Sequence, residues 1–446
     1  MADLTNGLVF AGQNGTPRGF YKAKKDYFGP RVGFAYALTS DNKTSVHGGY
    51  GMGHTPVGLE RNPAFLTNPP FIQSTTVSNG LISQPLIGAP QNTLGPVSLT
   101  VFGPDFQGTR TNTFSLTIER EFFPNAVGTL GYVGSTSQHV LAENYDENFP
   151  LPGTSANSPA CAALSLTPGP SSNYRFDPCL NRVPMVDPPV STTFYRPYPG
   201  YTAINSTFNG GSANFNSLQM GFIYRGHDLQ MNLAYTFGKS LTNVVPGGAG
   251  IQYDQAATYQ HPRDVAAEYG PPDYDRRHVF TAAWIYQLPL FGNAASGMVR
   301  SLAGGWSFSG LCVMESGFAL TPTLSAPFAG LASRPNLIAP VKVTGNPHAW
   351  VNPASFQQPA YGFFGDAAIG IIRGPSEIAF NVAVGKSFAL TERVKLELRV
   401  EVFNVANHPN FLNVNTAFNP TSTASFGQAL SAGDPRIIEG MVRLSF

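Results

Sequence analysis

Apolar and polar residues alternate along much of this chain with a period of two, the signature of strands that bury one face and wet the other. Between 393 and 403, Val394, Leu396, Leu398, Val400 and Val402 fall on one side, and Arg393, Lys395, Glu397, Arg399 and Glu401 on the other. No helical period fits that stretch. From 228 to 238, Leu229, Met231, Leu233, Tyr235 and Phe237 oppose Asp228, Gln230, Asn232, Ala234 and Thr236. The preceding run sets Leu218, Met220, Phe222 and Tyr224 against Ser217, Gln219, Gly221 and Arg225, and the join at Gly226-His227 makes the pair a hairpin. The same reading predicts eleven strands, at about 30–38, 43–52, 112–123, 126–134, 214–225, 228–238, 276–288, 304–316, 376–389, 392–404 and 436–446. Most run about nine to thirteen residues, roughly twice the usual length in soluble sheets.

Connection lengths add an independent signal. Short joins lie at 39–42, 124–125, 226–227 and 390–391, with a medium one near 289–303; long ones cover about 53–111, 135–213, 239–275, 317–375 and 405–435. A strand of about ten residues tilted near 45° is what crossing a bilayer requires. Short turns on one rim and long loops on the other predict a transmembrane antiparallel up-and-down β-barrel, all-β in class. A soluble β-sandwich or repeat array accounts for neither the strand lengths nor the alternating loops. In the last strand Ile438, Gly440, Val442, Leu444 and Phe446 alternate with Ile437, Glu439, Met441, Arg443 and Ser445. A terminal aromatic after such alternation resembles the signal read by the outer-membrane barrel assembly machinery, which makes Phe446 the expected assembly signal. Tyr50, Phe122, Phe123, Tyr286, Phe388 and Phe403 stand near strand ends, where rings form interface girdles or serve as ordinary strand aromatics.

Composition narrows the alternatives. The 446 residues include 47 Gly and 38 Pro, too many for extended helical bundles. Only 12% of residues are charged, about half the usual share, and the net charge of +1 gives no electrostatic footprint for nucleic acid. No apolar run is long enough for a transmembrane helix, and the opening residues show neither a basic nor an apolar export region. Of the three cysteines, Cys161 and Cys179 lie in a polar, Pro-rich stretch, where either an oxidised loop staple or two free thiols are compatible with the sequence. Cys312 falls in a strand pattern as a small packing residue.

Chemistry-bearing constellations are few, and no cofactor or metal is expected. Segment 261–278 gathers His261, Arg263, Asp264, Glu268, Asp273, Asp275, Arg276, Arg277 and His278. Their spacing matches no zinc-hydrolase pattern and reads as a charged loop base, in which carboxylate–arginine pairs pin a loop. Gly-Lys-Ser at 238–240 and 385–387 echoes a phosphate loop, but the upstream glycine is replaced by Leu233 and Phe380 and both copies fall at strand ends. The run Gly48-Gly49-Tyr50-Gly51-Met52-Gly53 reads as a strand that a neighbour approaches closely. No nucleophile elbow occurs, so an enzyme is not expected. The charged residues expected to face a lumen are Glu119, Arg225, Lys395, Glu397, Arg399, Glu401, Glu439 and Arg443. They either line a solute path or solvate the inner wall and dock a plug.

Four phrases carry a family resemblance: FGPRVGFAYAL at 28–38, YVGSTSQHVL at 132–141, DYDRRHVFTAAWIYQLPLF at 273–291 and LELRVEVFNVANHPNF at 396–411, with MVRLSF at the end. Together they resemble the C-terminal barrel of Oar-like TonB-dependent outer-membrane receptors, the branch with a carboxypeptidase-regulatory-like N-terminal domain. The resemblance implies a 22-stranded barrel with an internal plug and a segment that engages the TonB complex. The eleven strands here would be its second half, with 1–29 as the remnant of an extracellular loop and 30–446 as the barrel segment. It further implies an outer-membrane location with a periplasmic C-terminus. The partners it implies are membrane lipid, the assembly machinery at the C-terminal strand, an unknown solute and, only through a plug not found in this sequence, the TonB complex. Function is then energised uptake or surface binding of a large solute, the alternatives being a passive pore, an adhesin or a soluble β-rich binding module.

Overall fold

A computed structural model of the protein describes residues 27–55, 97–102, 107–149, 201–244, 264–289, 303–325, 334–359, 364–391 and 393–446, with scattered single positions between them. In chain order its strands are β1 (Arg31–Ala37), β2 (Thr44–Thr55), β3 (Val97–Phe102), β4 (Thr109–Phe123), β5 (Ala126–Asp146), β6 (Tyr201–Arg225) and β7 (Leu229–Thr242). Next come β8 (His278–Leu288), β9 (Trp306–Glu315), the two-residue pieces β10 (Ala319–Leu320), β11 (Thr323–Leu324), β12 (Asn336–Leu337), β13 (Phe356–Gln357) and β14 (Ile372–Arg373), then β15 (Glu377–Ala389) and β16 (Lys395–Phe403). The chain ends with β17 (Phe411–Val414), β18 (Ala417–Phe418), β19 (Ala429–Ala432) and β20 (Ile437–Ser445).

Eleven of these form one antiparallel meander in the order β1-β2-β4-β5-β6-β7-β8-β9-β15-β16-β20, each beside its predecessor in the path. They coincide with the eleven strands read from the alternation. The tight joins behave as the sequence dictates: Asn42 and Asn125 take the left-handed conformation that asparagine tolerates at two of the hairpin turns. In the first turn the Thr39 hydroxyl donates to the Asp41 carboxylate at 2.5 Å and the Lys43 amide donates to it at 3.0 Å, which holds the Asp41 carboxyl below its ordinary range.

Two features depart from the expected layout. The connection expected over 135–213 is strand at both ends, because β5 continues to Asp146 and β6 begins at Tyr201, still paired with each other through three register shifts. From Ser135 to Gln138 the β5 residues are all polar, so the alternation that reports a strand vanishes there although the ladder continues. The free edge of β6 above β7 is taken by β3, which runs parallel to it, and Leu99 and Ile204 are fully buried there.

The loops at 317–375 and 405–435 also form more structure than their Pro, Gly and Asn content suggests. Four two-stranded ladders, β10–β14, β11–β18, β12–β13 and β17–β19, join them into a cap with its own apolar centre of Leu324, Val351, Phe356, Ala367, Ile372, Phe418 and Phe426. The three phenylalanine rings pack edge to face or tilted, 5.3–6.1 Å between centroids. The cap rises from the rim that carries the long loops.

Candidate functional site: a lipid-facing belt, an inner wall and a pinned cap

Directly paired residues on adjacent strands share a face, so the register can be followed around the whole sheet. One ladder runs Val46, Ile118, Leu130, Met220, Tyr235, Phe280, Met314, Ile378. Another runs Tyr224, Met231, Trp284, Gly310, Val382, Val402, Ile438. The large apolar residues of the meander therefore concentrate on one face, although Ile223, Ile285, Leu311 and Phe403 stand on the other. Leu116, Ile118, Leu130, Met220, Val384, Leu398 and Val400 on the first face stay exposed, and no second layer among the described residues covers them. A contiguous apolar surface of this extent needs a dry partner.

The shape of the apolar belt identifies that partner. On β7 it spans eight residue steps, Leu229 to Phe237, or about 27 Å along the strand. The first ladder leaves β2 at Val46, beside the short turns, yet reaches β15 at Ile378, ten residues from Phe388 at the short-turn end of that strand. Ten residues of rise across seven interstrand steps is an angle of about 44° between the strands and the belt normal. Barrel strands cross membranes at about 35–45°, and eight steps at that tilt give a belt about 20 Å tall, close to the roughly 25 Å of outer-membrane barrels. A planar slab cutting tilted strands produces this drift.

Aromatics mark the edge of the belt on the short-turn rim: Tyr36, Phe123, Tyr224, Tyr286, Trp306 and Phe388 all lie on the apolar face by register. Phe403 differs from the girdle expectation, because its pairing with Ile437 puts it on the polar face. Two cations stand within the belt at this rim. Arg120 donates to the Thr44 hydroxyl at 2.8 Å, and Lys386 donates to the Gly304 carbonyl at 2.6 Å between the rings of Trp306 and Phe388, 4.9 and 4.8 Å away. Both use their apolar stems to reach the interface, and neither Gly-Lys-Ser copy lies at a strand-to-helix turn. In the glycine run the close neighbour is Phe34, whose ring lies 2.9 Å from where a Gly48 Cβ would be.

By register the other face carries Glu119, Arg225, Lys395, Glu397, Arg399, Glu401, Glu439 and Arg443 together. Glu119 pairs with Ser45 and Thr129, Arg225 with Gln230, Glu397 with Arg443 and Glu401 with Glu439; Lys395 and Arg399 alternate with them. Arg399 and Glu401 form an ion pair of 2.6 Å on one strand. The inner curve of β6–β9, β15 and β16 encloses a concavity of about 480 Å³ lined by Ile223, Arg225, Ile285, Leu311, Glu401 and Phe403. Phe446 ends the chain on the short-turn rim, 96% exposed.

Segment 261–278 is the anchor of the cap, as its charge pattern suggests. Glu268 and Arg334 form a buried bidentate pair, 2.5 and 3.2 Å, and Gln260 bridges the two: its amide donates to Glu268 and its side-chain oxygen accepts from the Arg334 amide. Buried Asp275 accepts from the Ser240 amide at 2.7 Å and from Arg373 at 2.6 Å, tying β7 to β14. Glu315 and Glu377 sit directly opposite each other on β9 and β15, a repulsive pairing that Arg276 resolves by binding both at 2.5 and 3.0 Å while stacking on Phe318. Asp264 caps a short 3-10 turn, and His278 Nδ1 meets the Tyr235 hydroxyl at 2.8 Å. Partial burial raises the Asp273 carboxyl above its usual range. His261, Arg263, Cys161 and Cys179 lie outside the described residues, as do most of 1–29 and much of the two loops 53–111 and 135–213. No metal-binding group of His, Cys, Asp and Glu occurs among the described residues, and no helix among them is long and apolar enough to cross a membrane.

A tilted antiparallel sheet with a bilayer-high apolar belt outside and a polar wall inside is the wall of an outer-membrane β-barrel. Residues 1–439 match the family described as outer membrane beta barrel domain, and the chain belongs to that family. Among solved structures, the outer membrane transporter YddB from Escherichia coli aligns over 94% of this chain and 40% of its own, at 10% identity and a TM-score of 0.44. The ferric-catecholate import receptor Fiu from E. coli K12 aligns over 93% and 34%, at 10% identity and 0.39. The ferripyoverdine receptor of the outer membrane of Pseudomonas aeruginosa aligns over 94% and 32%, at 11% identity and 0.39. The chain thus spans 32–40% of the length of these three. No curated protein matches it in sequence.

Proposed function

We propose that this chain is one side of a large TonB-dependent receptor barrel that takes up, or binds at the cell surface, a solute too large for passive pores. The direction of the two end strands carries this reading. With eleven strands in one meander, β1 and β20 run the same way, toward the short-turn rim, and every residue of both is exposed. Closing the sheet on itself would force a parallel seam into an antiparallel barrel, and a bare edge in hydrocarbon leaves backbone groups unsatisfied. An odd number of further strands, beginning and ending in the opposite direction, satisfies both edges. The barrel is then wide enough to need filling, which supports the plug implied by the phrases at 28–38, 132–141, 273–291 and 396–411.

In this reading residues 1–29 are the end of an extracellular loop, the long loops and the cap capture ligand, and the C-terminus with Phe446 faces the periplasm and the assembly machinery. The eight inner charges solvate the wall and dock the plug, which alone reaches the TonB complex. Single-channel recording of the natural full-length protein in planar bilayers, without its energy partner, tests the proposal. We expect no steady conductance. A permanently open channel would instead identify a passive pore, and high-affinity surface attachment without solute uptake an adhesin.

A further inference from the structure

The inner wall is not uniformly polar. On β2 and β4 it carries Ser45, His47, Ser115, Thr117 and Glu119, but from β5 onward two neighbouring ladders bring large apolar side chains into the lumen. The upper ladder runs Val127, Ile223, Asn232, Ala283, Leu311 and Asn381. It continues to Phe403, next after the Val382–Val402 pair, and from there to Ile437. The ladder two residues nearer the short turns runs Arg225, Gln230, Ile285, Ser309, Ala383 and Glu401. Ile223, Ile285, Leu311 and Ile437 are 38–49% exposed, so they stand clear of the wall, and Ala283, Ser309 and Ala383 lie between them as a floor. Large residues flanking small ones make the concavity of about 480 Å³ a groove, and its volume falls in the range of small-molecule sites. The stripe also climbs. It leaves the short-turn rim at Val127, the second residue of β5, and meets the long-loop rim at Phe403 and Ile437, where β16 ends and β20 begins. Seven interstrand steps at a tilt of about 44° rise about 23 Å, close to the height of the belt on the other face.

We infer that this groove binds an elongated amphiphile, an apolar chain with a single acidic end. This names the class of solute for the receptor proposed above and rests on that reading. Arg225 sets which end is acidic. It stands at the foot of the stripe, exposed, and no ion pair among the described residues involves it. At the upper end Arg399 is already matched by Glu401, and Glu439 lies directly across from Glu401, so that end repels a second acid. Five interstrand steps separate Arg225 from Phe403, about 24 Å. That accommodates a long acyl chain, which takes up roughly 15 Å in one bilayer leaflet. The alternative cover is the plug. A folded plug docks on a broad patch, whereas the apolar residues here form a narrow track from rim to rim with an unmatched cation at its foot.

The test uses the natural full-length protein in phosphatidylcholine nanodiscs, with a photoreactive palmitate as the probe and labelled peptides read by mass spectrometry. Label on the lipid-facing belt is not saturable, so the quantity to measure is the part that unlabelled palmitate competes away. We expect a competed label on β8, β9 and β16. Leu311→Asn with Ile285→Asn should weaken that competition on the order of a hundredfold, about tenfold per apolar contact. Arg225→Gln should weaken it about tenfold, and the uncharged methyl ester of palmitate should compete about as poorly. Ser115→Asn, on the polar part of the wall, should change nothing. Heat-modifiable migration establishes that each variant is folded, and Leu311→Ala supplies the comparison should the double variant not assemble. A label that palmitate does not compete would mean that the plug packs on the stripe as a protein seam, and would overturn the inference. So would competition that is indifferent to Leu311, Ile285 and Arg225. Single-channel recording on the same preparation separates the two claims. A closed barrel without competed label overturns the inference alone, and a steadily open barrel overturns the receptor reading and, with it, the role of the groove in uptake.

Discussion

Leu233→Arg should prevent stable insertion of the barrel, at a cost of about 2–4 kcal/mol, whereas Asn232→Arg one residue away should cost less than about 1 kcal/mol. Leu233 lies at the middle of the apolar stretch of β7, paired with Phe222 on one side and Ala282 on the other, while Asn232 points to the polar face between Ile223 and Ala283. A guanidinium at mid-belt cannot reach either interface without dragging the strand, because about four residues separate it from each edge. Folding into lipid vesicles, followed by urea titration and heat-modifiable gel migration, measures both effects. A charge would also damage a soluble core, so a second substitution is decisive. Leu233→Phe adds volume that lipid accommodates freely, and stability should hold to within about 1 kcal/mol. A close-packed protein layer over the same position would be overfilled at a cost of about 1–3 kcal/mol. Loss of stability in the phenylalanine variant would mean that protein, not hydrocarbon, covers the belt.

What could be read from the sequence follows from where water is. Within the belt, one side of each strand meets lipid and the other a polar interior, so the period-two contrast is strong and all eleven strands of the meander are legible, including those with Gly48, Gly128 or Gly310 on the apolar side. The same contrast locates Glu119, Arg225 and the β16 and β20 charges on one face with no structural information. Above the belt the contrast disappears. Ser135, Thr136, Ser137 and Gln138 form a wholly polar run on β5, so nothing alternates there, yet they pair with Phe215, Asn214, Ala213 and Ser212 in an unbroken ladder. The cap is illegible for a different reason. Its centre is assembled from residues scattered between Leu324 and Phe426, each isolated among prolines, glycines and asparagines, and only the fold brings them together. The charge pattern of 261–278 did announce a pinned loop, but not its partners: Arg334 and Arg373 lie about 60 to 100 residues further along.

That pinning leads to the second large effect. Arg334→Met should release the cap from the barrel rim while leaving the strands folded. Glu268 is fully buried, and its carboxylate takes both Arg334 nitrogens and the Gln260 amide. Removing the arginine takes the bidentate partner from a buried carboxylate, a loss of about 3–5 kcal/mol when the group cannot relax into water. Here it can, by opening the cap, so the penalty should appear as local unfolding rather than as loss of the barrel. Gln260 transmits the effect, since it also donates to the Gly365 carbonyl at 2.7 Å and accepts from the Arg334 amide at 2.8 Å. Hydrogen exchange at the cap amides of Arg334 and Ala367, the latter bonded to the Pro335 carbonyl, should accelerate by a factor on the order of a hundred or more. Exchange along β4 to β8 should not change. The double variant Glu268→Gln with Arg334→Met removes both charges and should recover most of the lost protection, because the cost comes from the buried charge that remains and not from the missing bridge. Unaltered exchange in the single variant would show that the apolar centre around Phe356 and Phe426 holds the cap unaided, and that the ion pair at its base only selects the docked orientation.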